Sequence, residues 1–287
     1  MKPGQFAYHA PRTADEAVAM LAAVAPQEGR VIAGGQSLVP AMALRVALPA
    51  HLVDINGVAG FERLGVEAGE LSIGACVRHA AFQRAVADGP LGRMLAGVVR
   101  HIAHYPIRTR GTFCGSLANA DPASEWCLVA VTLGAKMIAR STRGSRTIAA
   151  ADFFRGAMAT ALAADELLVE ARLPLLAPAT RWGFYEVCRR AGDFAIAMAL
   201  AAYRVEGGVI VEPRVGVGAV EGHPRRIREA EAALLGQAPG AGVFEAAAEA
   251  AANAVDTGGA NAETTAYKVD VTRASVRRAL EAAASRA

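Results

Sequence analysis

Residues 31–45 read VIAGGQSLVPAMALR: an apolar run stops at Gly34-Gly35 and resumes at helical spacing after Ser37. A helix start presents unpaired backbone N–H groups, and glycine lets an anion approach the backbone closely. AGGQS therefore has the physics of a phosphate loop. An ordinary strand-to-helix turn, with glycine supplying the conformation and Ser37 capping the helix, fits the same five residues. A second stretch, RTRGTFCGSLANADPASEW over 108–126, supplies Gly111, Thr112, Cys114, Gly115 and Ser116, then Asn119, Asp121 and Glu125. Its small, polar composition predicts an irregular loop over 112–124 that runs into a helix near Ser124. Two such loops can close on both sides of one pyrophosphate with N–H and O–H donors, without a lysine or Mg²⁺. No G-K-[ST] follows the glycines, which argues against nucleoside triphosphate hydrolysis. No G-x-G-x-x-G follows the first strand, which argues against a Rossmann site.

Other chemistry-bearing residues carry two readings each. His101-x-x-His104 places two imidazoles on one face of a predicted helix, but no third ligand accompanies them, and a packing or solvated role fits as well. Cys114 is either a redox-active thiol or a small buried residue filling a glycine's place. Arg108 and Arg110, like Arg189 and Arg190, suit a phosphate, a partner chain or a solvated surface.

The elements that must position these residues follow from periodicity. A strand over 6–8, a helix opened by the capping box Thr13-x-x-Glu16, a strand over 30–33, a helix over 37–46 and a strand over 51–55 make a β-α-β-α-β unit. From 56 to 176 the pattern is mixed: hairpins turning at Gly69 and Gly144, helices over 78–87, 90–103 and 125–134, and a closing strand over 165–174. LLAPAT at 175–180 is the linker candidate. The remainder, 181–287, begins with apolar strands around Gly207-Gly208 and ends in helices near 226–236, 243–256 and 264–284, which predicts an antiparallel sheet backed by helices. The expected units are 1–55, 56–176 and 181–287.

The 287 residues carry a net charge of +3, and only Lys2, Lys136 and Lys268 are lysines. The arginines are mixed with Asp and Glu, which argues against a nucleic-acid stripe or a polybasic membrane patch. The longest apolar runs, such as FAIAMALAAY, fall short of the ~20 residues a membrane span needs. The N-terminus lacks an apolar segment with a cleavage site and a twin arginine, so a cytoplasmic chain is expected. The four cysteines lie at least 13 residues apart, and no C-x-x-C pair exists. Any iron–sulfur or zinc centre is therefore expected on another chain.

AGGQSLVPAM, GTFCGSLANADPASE, DELLVEARLP and FYEVCRRAGDFAIA, in this order, resemble the landmark segments of the FAD-binding medium subunit of the molybdenum hydroxylase family, the family of xanthine dehydrogenase and carbon monoxide dehydrogenase. The resemblance implies an α+β fold: a PCMH-type, vanillyl-alcohol-oxidase-like FAD-binding domain in two subdomains, then a carbon monoxide dehydrogenase flavoprotein C-terminal-like domain. Ala33, Gly34, Gly35, Gln36 and Ser37 would wrap the FAD pyrophosphate, and Thr112, Phe113, Cys114, Gly115 and Ser116 would clasp it from the other side. Glu125, with Asn119 and Asp121 close by, matches an acidic position that binds flavin hydroxyls. Leu168 matches a residue whose backbone lies near the flavin, Tyr185 a position that holds a lysine in some relatives, and Phe194 an aromatic beside the isoalloxazine. Cys114 and Tyr185 depart from the family pattern, the first where a glycine is usual.

The function so implied is an electron-transfer subunit with FAD and no general base or metal of its own. The molybdenum cofactor would sit on a large partner, which would recognise the substrate, and [2Fe-2S] clusters on a small one, in a dimer of heterotrimers, with the final acceptor left open among NAD⁺, quinone, oxygen and a carrier protein. A self-sufficient FAD-dependent oxidase or dehydrogenase, and a scaffold or assembly protein that has lost its flavin, are the two alternatives.

Overall fold

The computed structural model describes residues 2–258 and 261–286. The chain opens with β1 (Ala7–His9), α1 (Ala14–Val24), β2 (Gly29–Ile32), α2 (Leu38–Ala43) and β3 (His51–Asp54). The three strands form a parallel sheet in the order β1-β3-β2. α1 starts where the sequence predicts: Glu16 N–H donates to Thr13 Oγ1, and the Glu16 carboxylate accepts from the Thr13 N–H. Ala17, Val18, Leu21 and Val24 are its buried face. α2 is shorter than the predicted 37–46. Arg45 turns left-handed at φ 58°, and the N–H groups of Val46 and Ala47 both fold back onto the Ala41 carbonyl.

Then follow β4 (Leu64–Glu67), β5 (Glu70–Gly74), α3 (Gly89–Val98), α4 (Tyr105–Arg108), α5 (Phe113–Asn119), α6 (Glu125–Leu133), β6 (Lys136–Ser141), β7 (Gly144–Ala149), α7 (Ala150–Phe153), the short pair β8 (Phe154–Gly156) and β9 (Ala159–Thr160), and β10 (Leu167–Pro174). An antiparallel sheet in the order β4-β5-β10-β6-β7 results. Two predicted helices are curtailed: only a 3₁₀ turn, His79–Gln83, lies within 78–87, and α3 stops at Val98, so His101 and His104 share no helical face. The predicted loop over 112–124 is in part a helix. Thr112 caps α5 by accepting from Gly115 N–H at 3.0 Å, and Phe113, Cys114 and Leu117 bury one side of it. Burial at helical spacing overrides the weak helix propensity of a small, polar segment.

After 175–180, which holds no strand or helix, come β11 (Arg181–Val187), β12 (Ala197–Glu206), β13 (Val209–Gly218), β14 (Arg225–Arg226), α8 (Arg228–Leu234), α9 (Ala241–Ala254) and α10 (Ala262–Ala284). The four strands form an antiparallel sheet in sequence order. Strand alternation gives this sheet two buried faces. Ala197, Ala199, Ala201 and Tyr203 of β12 share a core with α9 and α10; Met198, Leu200 and Ala202 share one with α6. Trp182 and Phe184 of β11 join the α6 side, so the C-terminal sheet and the preceding domain are packed through one core.

Gly183 lies on the α10 side of β11. A Cβ there would overlap the Ala279 carbonyl and sit 2.6 Å from Ala283 N. Gly183→Ala is expected to lower stability by about 1–3 kcal/mol, read from a denaturant midpoint that shifts at constant slope.

Candidate cofactor-binding site

The glycine loops meet backbone to backbone. β2 leads directly into Ala33–Ser37, where Gly35 takes φ +71°. A Cβ on Gly34 would overlap the Arg110 carbonyl oxygen and lie 2.6 Å from Gly111 Cα. A Cβ on Gly115 would come 4.0 Å from that of Ala33, so the first residue of one loop faces the first turn of α5. Ser37 makes no side-chain cap on α2, and Gln36 Nε2 instead donates to the Gly34 carbonyl at 3.0 Å.

A cation that sequence reasoning passed over ties the two loops. Arg78 pairs with Thr112 in an isolated antiparallel bridge, flanked by His79 N–H to Gly111 O and Phe113 N–H to Val77 O. From there its guanidinium donates to Arg110 O at 2.5 Å and to Asn56 Oδ1 at 2.6 Å, while Asn56 Nδ2 donates to Ala33 O at 2.7 Å. Asp54 caps the turn after β3, its Oδ1 accepting from the Asn56 N–H at 2.9 Å. No carboxylate neutralises Arg78 among the described residues, so the junction keeps positive charge. Arg108, by contrast, spends Nη1 on the carbonyls of Ile102 and Ala103.

Under the junction lies His79. Trp126 Nε1–H donates to its Nδ1 at 3.0 Å, which fixes the proton on Nε2. A Cβ on Gly111 would lie 2.5 Å from that Nε2. Burial first, then the nearby Arg78 and Arg108, hold the His79 pKa down at about 4. A histidine depressed on folding adds stability above its unfolded value near 6.5 and loses it as pH falls through 4. Glu125 and Glu186 act in the opposite sense over the same range, so the effect is read against His79→Asn. The wild type is expected to lose on the order of 3 kcal/mol more than that variant between pH ~6.5 and ~4.

Phe113 and Cys114 turn their side chains away from the junction. Phe113 packs with Phe82 and Trp126, and the Cys114 thiol donates to Ile73 O at 3.5 Å. Cys114 holds a helical position where a side chain costs nothing, and complete burial pushes its thiol pKa up. It is neither an obstacle at the junction nor an accessible redox thiol.

The chain resembles known proteins along nearly its whole length. Residues 4–176 match the model of the FAD binding domain in molybdopterin dehydrogenase, and residues 182–283 that of the CO dehydrogenase flavoprotein C-terminal domain. The nicotine 6-hydroxylase medium subunit of Paenarthrobacter nicotinovorans is 36% identical over 255 residues, 89% of either chain. Caffeine dehydrogenase subunit beta of Pseudomonas sp. (strain CBB1) is 36% identical over 241 residues, 84% of this chain and 81% of that one. Among solved structures, a chain of the carbon monoxide dehydrogenase of Hydrogenophaga pseudoflava lacking the Mo-pyranopterin moiety superposes with a TM-score of 0.94 at 34% identity, covering 100% of this chain and 99% of that one. The chain belongs to the FAD-binding medium-subunit family of molybdenum hydroxylases.

In this medium subunit the remaining expected residues divide into groups. Asn119 ends α5 with Nδ2 on Met158 Sδ at 3.6 Å, and Asp121 Oδ1 accepts from Ala123 N–H at 2.9 Å, shaping the turn into α6. Glu125 is the first residue of α6, its pKa pushed up to about 8 by burial, then by Glu186 and Asp121. Leu168 is buried beside a β-bulge in β10 that separates it from Glu170. Phe194 stands 76% exposed on the segment between β11 and β12.

Tyr185 stands on the opposite face of β11 from Trp182 and Phe184. It lies on the α10 face of the medium subunit's C-terminal sheet, where its hydroxyl accepts from Arg278 Nη1 at 2.6 Å. Its neighbour Glu186 faces the FAD-binding domain with Trp182 and Phe184, because a one-residue step along a strand changes the face. The even spacing 182, 184, 186 was the available signal. His101 meets Glu186, and His104 packs on Gly192; among the described residues no group of three His, Cys, Asp or Glu could hold a metal.

Proposed function

We propose that Ala33–Ser37 and Thr112–Ser116 hold the pyrophosphate of FAD between them, and that the chain works as the electron-transfer subunit of a molybdenum hydroxylase complex. The observation that carries the reading is the junction itself: Gly34 against Arg110 and Gly111, with no room for a Cβ, beside a guanidinium that has no carboxylate partner among the described residues. Such a cradle fits a doubly charged diphosphate, which needs close backbone donors and fixed positive charge. Asn119, Asp121 and Glu125 lie at the exit of the second loop, in place for hydroxyl groups of the cofactor. Leu168 and the exposed Phe194 ring are proposed as its apolar surroundings; Tyr185, facing α10, is left out, and Phe113 and Cys114 contribute backbone and core.

Bound FAD would accept electrons singly and release them in pairs. The chain's own residues bind and orient it, and none is assigned as a general base. Electrons would arrive from [2Fe-2S] clusters on a small partner, and substrate oxidation would belong to the molybdenum cofactor on a large one. Relatives named for nicotine and caffeine match this chain over most of their length, and a carbon monoxide dehydrogenase chain shares its fold, which supports placing substrate choice on another subunit. Pairing of two heterotrimers, cytoplasmic residence and the unit boundaries after residues 55 and 176 belong to the same proposal. No helix of the described residues is long and apolar enough to cross a membrane.

The test is assay of the purified chain alone and with the two chains that co-purify with it. Turnover of aldehydes or N-heterocycles only in the presence of both partners is expected. Substrate turnover by the isolated chain would establish a self-sufficient oxidase instead.

A further inference from the structure

Where β11 passes the FAD-binding domain, the seam contains an acid with one oxygen that no described residue hydrogen-bonds. The Glu186 side chain is 2% exposed, and its Oε2 accepts no hydrogen bond from any described residue. His101 Nδ1, in the turn after α3, faces that oxygen at 3.9 Å, beyond hydrogen-bond range. The His101 side chain is 43% exposed and rests its ring edge on Phe184 at 4.8 Å, so it joins the buried carboxyl to water. Glu125, at the head of α6, is near enough for the Glu186 charge to raise its pKa. A buried carboxylate with no cation is costly, and two are costlier, so such acids keep their protons.

We propose that Glu186, backed by Glu125 and reached from solvent through His101, is a proton-holding site that supplies and takes back the proton accompanying electron transfer at the bound cofactor. The inference rests on the FAD reading given above. The O–H bond at Glu186 Oε2 would break as its proton passes to a ring nitrogen of the reduced cofactor, where an N–H bond forms, and a proton from bulk water would replace it through His101 once the 3.9 Å gap closes to hydrogen-bond range. The electrons come from the one-electron donor chain, and reoxidation by the external acceptor returns the proton along the same route. No net charge is left buried after a full cycle.

The surrounding groups favour the protonated state. Burial pushes Glu186 up to about 7, an effect the Cys188 thiol offsets in part. The same burial lowers His101, so a carboxylic acid facing a neutral imidazole is the stable pair. The titratable neighbours are Glu125 and Asp121 at the start of α6, the Cys127 thiol within it, and Cys188 and Asp193 after β11; no lysine or arginine acts on either glutamate among the described residues. Cys188 also opens the segment that carries Phe194.

Infrared spectroscopy of the purified full chain, with and without FAD, tests the site. A carboxylic-acid C=O band should persist above pH ~6, where an ordinary glutamate is ionised. Glu186→Gln should cut its intensity at least about twofold, since the pair shares its protons. His101→Gln should keep the band but slow its H/D shift more than about tenfold, because the route to water passes through that ring. A wild type without the band, or a band unchanged in Glu186→Gln, would overturn the site whether or not FAD binds. In the flavin-loaded chain the midpoint potential should change its slope with pH near the Glu186 transition, and Glu186→Gln should remove the change. A band that titrates as expected in a chain that never takes up FAD would sink the cofactor reading; a bound flavin with no slope change would overturn the link to electron transfer.

Discussion

Valine at Gly34 is expected to strip the chain of flavin, with content falling more than about tenfold, because its side chain enters the space where the two loops touch and forces them apart, which misplaces the backbone N–H donors on both. The added Cβ meets backbone rather than a movable side chain: the Arg110 carbonyl and Gly111 Cα cannot yield unless the segment 108–112 shifts as a unit. That segment is held by His79 N–H on Gly111 O and by the Arg78 guanidinium, so moving it opens the junction. The core between the C-terminal sheet, α9 and α10 shares no residue with either loop, and the helical circular dichroism should survive. Flavin released by denaturation and counted per chain checks the first claim, and a thermal scan the second. Full flavin content in Gly34→Val would remove the two-loop cradle.

Arg78→Met ranks next in expected effect. The guanidinium makes one hydrogen bond into each side of the junction, and hydrogen bonds to charged groups contribute about 1.5–3 kcal/mol each. After relaxation a net loss of about 3 kcal/mol is expected, roughly a hundredfold in FAD dissociation constant. Lysine should rescue little, since a point cation cannot span Arg110 O and Asn56 Oδ1 with a planar fork. Titration of the flavin-free variants with FAD, followed by flavin fluorescence, measures this. Equal affinity for wild type and methionine variant would mean that Arg78 only braces the loops.

Much of the frame is written locally. Thr13 and Glu16 announce α1, Gly69 and Gly207-Gly208 mark hairpins, and AGGQS identifies one side of the junction before any fold is known. What stayed hidden depends on contacts distant in sequence. α5 resembles a loop because its helix is stabilised by burial of Phe113, Cys114 and Leu117 against strands and helices elsewhere, a force that composition does not display. Arg78 is one arginine among many until the bridge to Thr112 brings it beside Gly111. The choice between Tyr185 and Glu186 turns on a single step along β11, and only the packing of Trp182 and Phe184 decides which residue faces the FAD-binding domain.

The central claim is that this chain carries FAD and relays electrons rather than acting on substrate. Its most direct measurement is flavin stoichiometry of the chain purified with its natural partners, together with reduction of that flavin when substrate is added anaerobically. The account predicts one FAD per chain, reduced by substrate only while both partner chains are present. A folded chain without flavin, or flavin reduced by substrate in the isolated chain, would contradict it.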